Sequence, residues 1–426
     1  MRRFLPFFFA IPVFLITAQS TASSLLDFDQ GVDVRPVIRQ AGEIAVPGGD
    51  AVSPETIPAN ADDTVWISIS RNDAGALGDE LLKRALVGQN DSISIYELKV
   101  SGLDPLAAAM QRRFHMSPGF FTHDSLASAL EDLSQPPPAA ARAFSIDQGE
   151  KVAAMLKLVN EDAVTAIISR LSEYKNRYYR SVTGVASSKW IYDHWKELSA
   201  GRSDITVTAF PHSAYPQESV ILTVRGTIEP DKVVVVGAHQ DSTAGGSDKP
   251  APGADDNASG IAVVNEVIRV VAASGYKPAQ TLKFMAFAAE EVGLRGSQEI
   301  AAGFKKEGVA VQGMLNLDMT NYKGSAEDIF FISDNTNAPQ NAFLGKLVST
   351  YTGYNWAATR CGYGCSDHAS WTKNGFAASF PFEAKMGEDN PNIHTAKDTL
   401  AQMGGRATHS FKFAKLAVAY IVEMAK

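Results

Sequence analysis

Cysteine is scarce in this sequence, with only Cys361 and Cys365 among 426 residues. A thiolate zinc site needs more soft ligands than this pair supplies, and a redox pair more often has the spacing CxxC. In the string CGYGC the two intervening glycines give the backbone the freedom to bring both sulfurs together. Because such a pair is usually oxidised in an exported protein, the sequence predicts a Cys361–Cys365 disulfide.

The sequence also lacks an excess of positive charge, since 39 basic and 47 acidic side chains give a formal net charge of −8. This balance argues against a nucleic-acid partner, which requires a basic surface. We see no internal repeat, and beyond the first residues no stretch is apolar enough to span a membrane. We therefore expect a soluble mature protein that binds neither nucleic acid nor membrane and is a monomer.

The first residues combine a cationic start, Met-Arg-Arg, with the apolar run FLPFFFAIPVFLITA. This pattern is typical of a secretory signal peptide, here residues 1–22, cleaved after the small residue Ala22. The alternative is a membrane anchor, which is disfavoured because the run is short and is interrupted by Pro6 and Pro12. The sequence therefore predicts a secreted protein, either periplasmic or extracellular.

The rest of the chain divides at a proline-rich stretch. Residues 64–133 contain the strand-like segments WISISR and SISIYELKV and the helix-like segments DELLKRALV and DPLAAAMQRRF. The string SQPPPAAARA, residues 134–143, predicts an extended, exposed linker that proteases can cut. We therefore predict a small α+β region within residues 23–143, followed by a larger domain at 144–426.

In the larger domain, continuous apolar strands alternate with helices. Strands with apolar residues on both faces are typical of a largely parallel sheet that helices cover on both sides. The sequence predicts an α/β fold with a mostly parallel mixed sheet flanked by helices. The predicted helices span Glu161–Tyr179, Ser187–Leu198 and Ala258–Ala273, and the predicted strands are ITVTAF, SVILTVRG, VVVVGAH, TLKFMAFAA, GMLNLDM, DIFFIS and AASFPF.

Three of these strands end at residues that bind metals. VVVVGA is followed by His239 and Asp241, FMAFAA by Glu290 and Glu291, and MLNL by Asp318. Ligands of open α/β sheets bind at the carboxyl ends of strands, and buried carboxylates are costly unless they are paired or metal-bound. One acid at a strand end is commonly a helix cap, but three such ends predict a shared metal site.

Two loops add candidate ligands. The string GADDNASG contains a doubled aspartate, although its plain interpretation is a helix cap made by Asn257. His394 lies in the loop NPNIHTAKDT, where a histidine on its own is more often structural. Nitrogen and oxygen ligands without thiolate fit catalytic zinc, and two ions sharing a carboxylate would activate a water. One carboxylate of the Glu290–Glu291 pair would bind metal, and the other would accept the proton of the water.

Six motifs, taken in order, closely resemble those of the bacterial leucyl aminopeptidases, which are secreted enzymes with two co-catalytic zinc ions. The resemblance runs from about residue 164 to the C-terminus. It implies a zinc-exopeptidase-like fold and release of large apolar residues, such as leucine, from peptides with a free N-terminus. The motifs are HQDST, APGADDNASG, AAEEVGLRGSQ, NLDMTNYKGSA, CGYGCSDHASW and NIHTAKDTL.

The resemblance also implies a role for each site residue. Asp256, rather than Asp255, would bridge the two zinc ions, with a cis peptide bond to Asn257. Glu290 would be the general base, and Asp241 would orient a ligand histidine. The remaining ligands would be His239 and Asp318 at one ion and Glu291 and His394 at the other.

A pocket for the first substrate side chain is implied as well. Two of its positions depart from the family pattern, because Phe380 stands where methionine is expected and Met386 stands where phenylalanine is expected. The exchange keeps the pocket apolar. The implied lining is Met319, Ile332, Cys361, Tyr363, Cys365, Phe380, Phe382, Met386 and Ile393.

The region before the linker resembles a pro-region. Our hypothesis is that it assists folding and covers the mouth of the active site until the linker is cut. The alternative is a constitutive extra domain.

Three other functions stay open. A carboxypeptidase or dipeptidase of similar fold would need a cation for the substrate carboxylate, and Lys385 is the nearest candidate. A glutaminyl cyclase would use one zinc ion, which the full two-metal set disfavours. A catalytically inert binding domain would usually have lost ligands or the base.

Overall fold

The structure, a computed structural model, describes residues 63–77, 86–114, 118–134, 139 and 142–426. The predicted signal peptide at 1–22 and most of the predicted linker at 134–143 lie outside the described residues. No helix among the described residues is both long and apolar enough to cross a membrane.

The described residues between 63 and 134, which we call the N-terminal module, form an antiparallel sheet with helices packed on it. Strand β1 (Thr64–Ser70) lies between β3 (Ile93–Lys99) and β4 (Phe120–His123), and β2 (Leu86–Gln89) pairs with β3. The alternating residues of β1 turn one apolar face toward a helix, so that a small core forms. The helices are α1 (Arg71–Leu77), α2 (Leu103–Phe114) and α3 (Leu126–Glu131), with a 3-10 turn at Val100–Gly102.

Three of the four segments predicted in this module have the expected structure, since they lie in β1, β3 and α2. The predicted helix DELLKRALV falls mostly outside the described residues. Its last two residues, Leu86 and Val87, belong to strand β2 and not to a helix.

The larger domain is built on a six-stranded mixed sheet with the order β12-β9-β7-β8-β6-β5. Strands β12, β9, β7 and β8 are parallel, whereas β6 and β5 continue the sheet in antiparallel fashion. The predicted mostly parallel mixed sheet is therefore confirmed. The strands are β5 (Ile205–Phe210), β6 (Ser219–Val224), β7 (Glu229–His239), β8 (Gln280–Phe287), β9 (Ala310–Asn316) and β12 (Ala378–Ser379).

A second sheet of three short strands accompanies the first. Strand β10 (Ile329–Ile332) pairs in parallel with β11 (Trp356–Thr359) and in antiparallel fashion with β13 (Pro381–Phe382). The predicted single strand AASFPF is therefore two strands, β12 and β13, in different sheets. Pro381 has no amide hydrogen with which to continue a regular ladder, which agrees with a change of partner at this point.

Helices flank the large sheet, and side-chain caps explain where two of them begin. Asn160 accepts hydrogen bonds from the amides of the first turn of α5, and Ser181 accepts one from Gly184 in α6. The predicted helix Glu161–Tyr179 ends early, at Ser172. The helices are α4 (Gly149–Leu156), α5 (Glu161–Ser172), α6 (Val182–Leu198), α7 (Gly260–Ser274), α8 (Arg295–Lys306), α9 (Ala338–Leu347), α10 (His368–Lys373) and α11 (Ser410–Met424).

Apolar residues on both faces of the sheet make two cores. In β7, Val234 and Val236 face the core that contains α7 and α11, while Val233 and Val235 face the core around Trp371. Burial on both faces explains why this strand is a continuous run of valines. The two cores fix the sheet between its helices and so fix the direction of its strand ends.

We expect Phe284→Ala to lower the free energy of unfolding by about 3–5 kcal/mol, because Phe284 is fully buried in β8 and its removal leaves a cavity. Chemical denaturation of metal-free protein would measure the change without a contribution from bound metal. The control is Ile228→Ala, since Ile228 is 76% exposed and its loss should cost less than about 0.5 kcal/mol. Equal losses in the two variants would contradict this core assignment.

Candidate metal centre

The carboxyl ends of three neighbouring strands meet at one edge of the large sheet. Strand β7 ends at His239, β8 is followed by Glu290 and Glu291, and β9 is followed by Asp318. Because β9, β7 and β8 are adjacent and parallel, their ends bring these side chains into one crevice. Both glutamates follow the end of β8, so they are not constrained to opposite faces of a strand.

Two groups of side chains in this crevice could each hold a metal ion. His239, Asp256 and Asp318 form one group, and Asp256, Glu291 and His394 form the other. In each group the potential ligand atoms lie within 4.8 Å of one another. Asp256 belongs to both groups. The structure therefore brings together all five residues that the sequence suggested as ligands.

Asp256 reaches both histidines with its two oxygens. Its Oδ1 lies 3.1 Å from Nε2 of His239, and its Oδ2 lies 3.0 Å from Nε2 of His394. Nε2 of His239 is also 3.2 Å from Asp318, and Nε2 of His394 is 2.8 Å from Glu291. A carboxylate placed between two imidazoles in this way has the geometry of a bridging ligand.

The loop before α7 presents Asp256 to the crevice and turns Asp255 away. Asp255 accepts a hydrogen bond from the amide of Asn321 at 2.9 Å, and it is fully buried. The peptide bond between Asp256 and Asn257 is cis. The Asn257 side chain accepts a hydrogen bond from the amide of Gly260 at 2.8 Å, as the cap interpretation expected, and donates one to Leu317 at 3.0 Å.

Asp241 ties the ligand residues to one another. Its Oδ1 lies 3.5 Å from Nδ1 of His239 and accepts a hydrogen bond from the amide of Glu290 at 3.1 Å. Its Oδ2 accepts one from the amide of Glu291 at 3.2 Å. Asp241 therefore positions the candidate ligand His239 and, at the same time, the backbone that carries both glutamates.

Two buried residues that were not predicted from the sequence support the Asp256 loop. Asp398 accepts hydrogen bonds from the amides of Asp255 and Asp256, at 3.1 Å and 3.0 Å. Arg177 is fully buried and donates to the carbonyls of Pro252 and Gly253, the second at 2.8 Å. Asp398 lies four residues after His394 in the motif NIHTAKDTL, which could have suggested it, whereas nothing near Arg177 in the sequence indicated its role.

Charges within the crevice shift the pKa values of its histidines. Burial alone would lower the pKa of His239, but the charges of Asp318 and Glu290 outweigh burial and hold it well above its usual value. Burial would likewise lower the pKa of His394, and Glu291 and Asp256 raise it well above its usual value. In the metal-free protein both imidazoles are therefore protonated at neutral pH.

The carboxyl groups respond to the same environment. Burial raises the pKa of Glu290 well above its usual value and, with the charge of Asp256, raises the pKa of Glu291 to about 7. Burial would also raise the pKa of Asp256, but hydrogen bonds from His239 and His394 outweigh it, so this pKa is lowered. Asp256 thus keeps its negative charge between two cationic partners.

A pocket opens beside the two groups. Its lining contains most of the residues that the family resemblance implied for the substrate pocket. Ile332 is not among the lining residues; it is fully buried and packs against Met319, Phe380 and Phe382. Cys361 and Cys365 are joined by the predicted disulfide, and Cys365 lines the pocket. The lining is Asp256, Glu290, Asp318, Met319, Tyr363, Cys365, Phe380, Phe382, Met386, Asp389 and Ile393.

The donor set fits zinc. Two imidazoles and three carboxylates, all with most of their surface buried, supply mixed nitrogen and oxygen ligands without thiolate. Burying three carboxylates together is costly unless cations offset their charge. Glu290 belongs to neither group but lines the same pocket, so it is available for proton transfer.

Comparison with known proteins places this geometry in a family. Residues 219–419 match the model of the peptidase family M28. Leucine aminopeptidase 1 of Arthroderma otae is 38% identical over 305 residues, which cover 68% of this chain and 80% of that protein. This chain belongs to peptidase family M28.

Solved structures in the same comparison resemble the chain over much of its length. The LapA aminopeptidase of Legionella pneumophila has a TM-score of 0.76 and 27% identity, and the match covers 85% of this chain and 98% of that one. LapB from Legionella pneumophila also has a TM-score of 0.76, with 26% identity. The M28 match at 219–419 includes all five residues of the two potential metal groups.

We expect zinc binding to the metal-free M28 protein to release protons at pH 7. The raised pKa values of His239 and His394 leave both imidazoles protonated there, and each must lose its proton to bind zinc. Apparent zinc affinity should therefore rise as the pH increases from about 6 to about 8. Calorimetric titrations in buffers of different ionisation enthalpy would count the protons.

The control for this measurement is His394→Ala, which should release fewer protons than the unsubstituted protein. Zinc binding without proton release at pH 7 would contradict the raised pKa values of His239, His394 and Glu291.

Proposed function

We propose that this protein is an exported two-zinc aminopeptidase that releases large apolar residues, such as leucine, from the N-terminus of peptides. The observation that carries the proposal is the position of Asp256 between two ligand groups, with Glu290 lining the pocket beside them. The similarity to leucine aminopeptidase 1 of Arthroderma otae supports the reaction type. The disulfide agrees with export.

The residues of the crevice suggest how the reaction proceeds. When bound, two zinc ions lower the pKa of a water and polarise the carbonyl of the peptide bond. Glu290 accepts the proton of the attacking water and passes it to the leaving amine. Glu290 is buried and lines the pocket beside both ligand groups, a position that suits proton transfer.

The apolar part of the pocket supports a preference for large apolar N-terminal residues. Phe380 and Phe382 pack edge to face with ring centroids 5.5 Å apart, and Met319 and Met386 lie in the same cluster. Such a surface favours leucine, methionine or phenylalanine through burial of apolar area. It separates close homologues weakly, because one methylene changes the binding energy by only about 1–3 kcal/mol.

The alternative functions receive less support from the site. The lining residues of the pocket include no lysine or arginine that could receive a substrate carboxylate. Lys385 is not among them; its Nζ lies 3.9 Å from Glu388, and its side chain is 63% exposed. The presence of two ligand groups disfavours a one-zinc glutaminyl cyclase, and the presence of Glu290 disfavours an inert binding domain.

Zinc-loaded protein should hydrolyse leucine p-nitroanilide, and Glu290→Gln should lower kcat by about a hundredfold or more, because the general base is lost. The assay would be run with and without a chelator, and bound zinc would be counted by elemental analysis. The matched control is Glu307→Gln, since Glu307 is exposed at the end of α8 and should not affect the rate.

Activity with one zinc ion per chain, or full activity in the Glu290 variant, would contradict this mechanism. Hydrolysis of an N-acetylated peptide from its C-terminus would favour the carboxypeptidase instead.

We further propose that the N-terminal module restricts access of peptides to this site. Thr122 in β4 donates hydrogen bonds through its amide to Gly293, at 3.0 Å, and through its hydroxyl to Val292, at 2.7 Å. These two residues directly follow Glu291. The module thus docks on the loop that carries the proposed base and a proposed ligand.

Two glycines make room for this docking. A Cβ atom at Gly293, whose φ is 100°, would come within 2.3 Å of the Thr122 hydroxyl. A Cβ atom at Gly364 would come within 2.9 Å of the Phe121 ring. Gly364 lies between Tyr363 and Cys365, which line the pocket. The module therefore contacts two segments that carry lining residues of the pocket, although none of the described lining residues belongs to the module itself.

Charged side chains of the module also pair with residues of the larger domain. Asp124 lies 2.5 Å from the guanidinium of Arg295, whose side chain is only 2% exposed. Asp132 pairs with Lys373 of α10, and Tyr178 donates a hydrogen bond to Asp104 at 2.5 Å.

The similarity to LapA covers 85% of this chain, more than residues 144–426 provide, so it extends into the module.

Substrates that extend beyond the pocket should be the ones that the module excludes. We expect cleavage within residues 134–143 to increase hydrolysis of a leucine-initiated hexapeptide several-fold, and hydrolysis of leucine p-nitroanilide less. In uncut protein, the double variant Phe121→Ala with Asp124→Ala should move peptide hydrolysis toward the rate of cut protein, because two of the docking contacts are lost.

Glu97→Ala serves as the control, because Glu97 is an exposed residue of the module on β3. Equal peptide hydrolysis by cut and uncut protein would favour the constitutive extra domain.

A further inference from the structure

The pocket contains one acidic residue that the two ligand groups do not explain. Of its four acidic lining residues, Asp256 and Asp318 belong to the ligand groups, and Glu290 is the proposed base. Asp389 is the fourth and belongs to neither group. The other seven lining residues are methionine, cysteine, phenylalanine, isoleucine or tyrosine. Asp389 therefore adds a carboxylate to a part of the pocket that is otherwise largely apolar.

The loop after β13 holds Asp389 in a defined position. Its Oδ1 accepts a hydrogen bond from the amide of Gly387 at 2.7 Å, and Gly387 adopts a φ of 89°, which suits glycine. The next residue, Asn390, is buried and donates its amide hydrogen to Glu383 at 3.1 Å. Asp389 itself is half-buried. The carboxylate is therefore anchored at the pocket rather than carried on a loose surface segment.

An apolar pocket with an anchored carboxylate matches a particular kind of side chain. Lysine and arginine carry long apolar stems that pack on hydrophobic surfaces, while their charged ends reach a polar partner. The methionine, phenylalanine and isoleucine residues of the pocket suit the stem. The aromatic rings and the carboxylate both attract the cationic end.

We propose that Asp389 determines specificity by admitting N-terminal lysine and arginine to the pocket alongside apolar residues. This inference rests on the proposed aminopeptidase function and adds a second class of substrate to it. The carboxylate stabilises the cation of the substrate side chain, while the metal centre receives the backbone of the same residue. Substrates with an acidic N-terminal residue are repelled by the same charge.

The test compares substrates that differ at the charged end of the side chain. Norleucine has four carbons in its side chain, like lysine, but no ammonium group. We would measure kcat/KM for lysine p-nitroanilide and norleucine p-nitroanilide with the zinc-loaded full chain. Asp389→Asn should lower the lysine-to-norleucine ratio about tenfold, because a charge-assisted contact is lost, and Asp389→Lys should lower it further. The unsubstituted protein should also lose lysine selectivity as salt concentration increases.

The matched control is Glu388→Gln, which removes a neighbouring carboxylate of the same loop. The Glu388 side chain is 48% exposed and does not line the pocket, so this variant should keep the original ratio. A melting temperature for each variant would establish that it is folded.

Two outcomes would overturn the inference while leaving the aminopeptidase intact. In the first, the protein hydrolyses norleucine p-nitroanilide but not lysine p-nitroanilide. In the second, Asp389→Asn slows both substrates equally, as a purely structural role would. Failure of the zinc-loaded protein to hydrolyse even norleucine and leucine p-nitroanilides would instead overturn the proposed function, and this inference with it.

Discussion

The site depends on the mutual compensation of buried charges around Asp256. An isolated carboxylate or imidazolium in the interior of a protein loses much of its hydration energy, and Asp256 is only 6% exposed. Its two oxygens face His239 and His394, each of which also contacts a further carboxylate, Asp318 or Glu291. The alternation of charge allows five ionisable side chains to occupy one crevice. Bound cations would take over this compensation and displace the protons of the histidines.

Compensation of charge requires accurate placement, and backbone hydrogen bonds supply it. His239 and Asp318 are placed by β7 and β9, which are paired within the large sheet. The other candidate ligands lie on loops, where Asp241 and Asp398 each accept hydrogen bonds from two successive backbone amides. A carboxylate that accepts hydrogen bonds from two successive amides fixes the orientation of the backbone there. The side chains of the same residues are thereby held in a defined direction.

The sequence predicted the features that depend on local pattern. The apolar strands that end at His239, Glu290 and Asp318 identified both the parallel sheet and the edge at which the site lies. Strands buried on both faces are continuous apolar runs, and ligands bind at the carboxyl ends of parallel strands. Arg177 and Asp389 escaped notice because their roles depend on long-range contacts and on the path of a loop. The division of AASFPF between two sheets was not predicted either, because it depends on long-range pairing: β12 pairs with β9, and β13 pairs with β10.

The same loops serve both the proposed chemistry and the docking of the N-terminal module, and this overlap has a physical basis. Asp241 binds the amides of Glu290 and Glu291, while the carbonyls of Val292 and Gly293, the next two residues, bind the N-terminal module. Thr122 satisfies these carbonyls with its amide and hydroxyl. If the module is released, as we propose, water would replace these two bonds, whereas Arg295, whose side chain is 2% exposed, would lose its partner Asp124. Release of the module would break its contacts with this turn, but none of the contacts that join the five candidate ligands to one another.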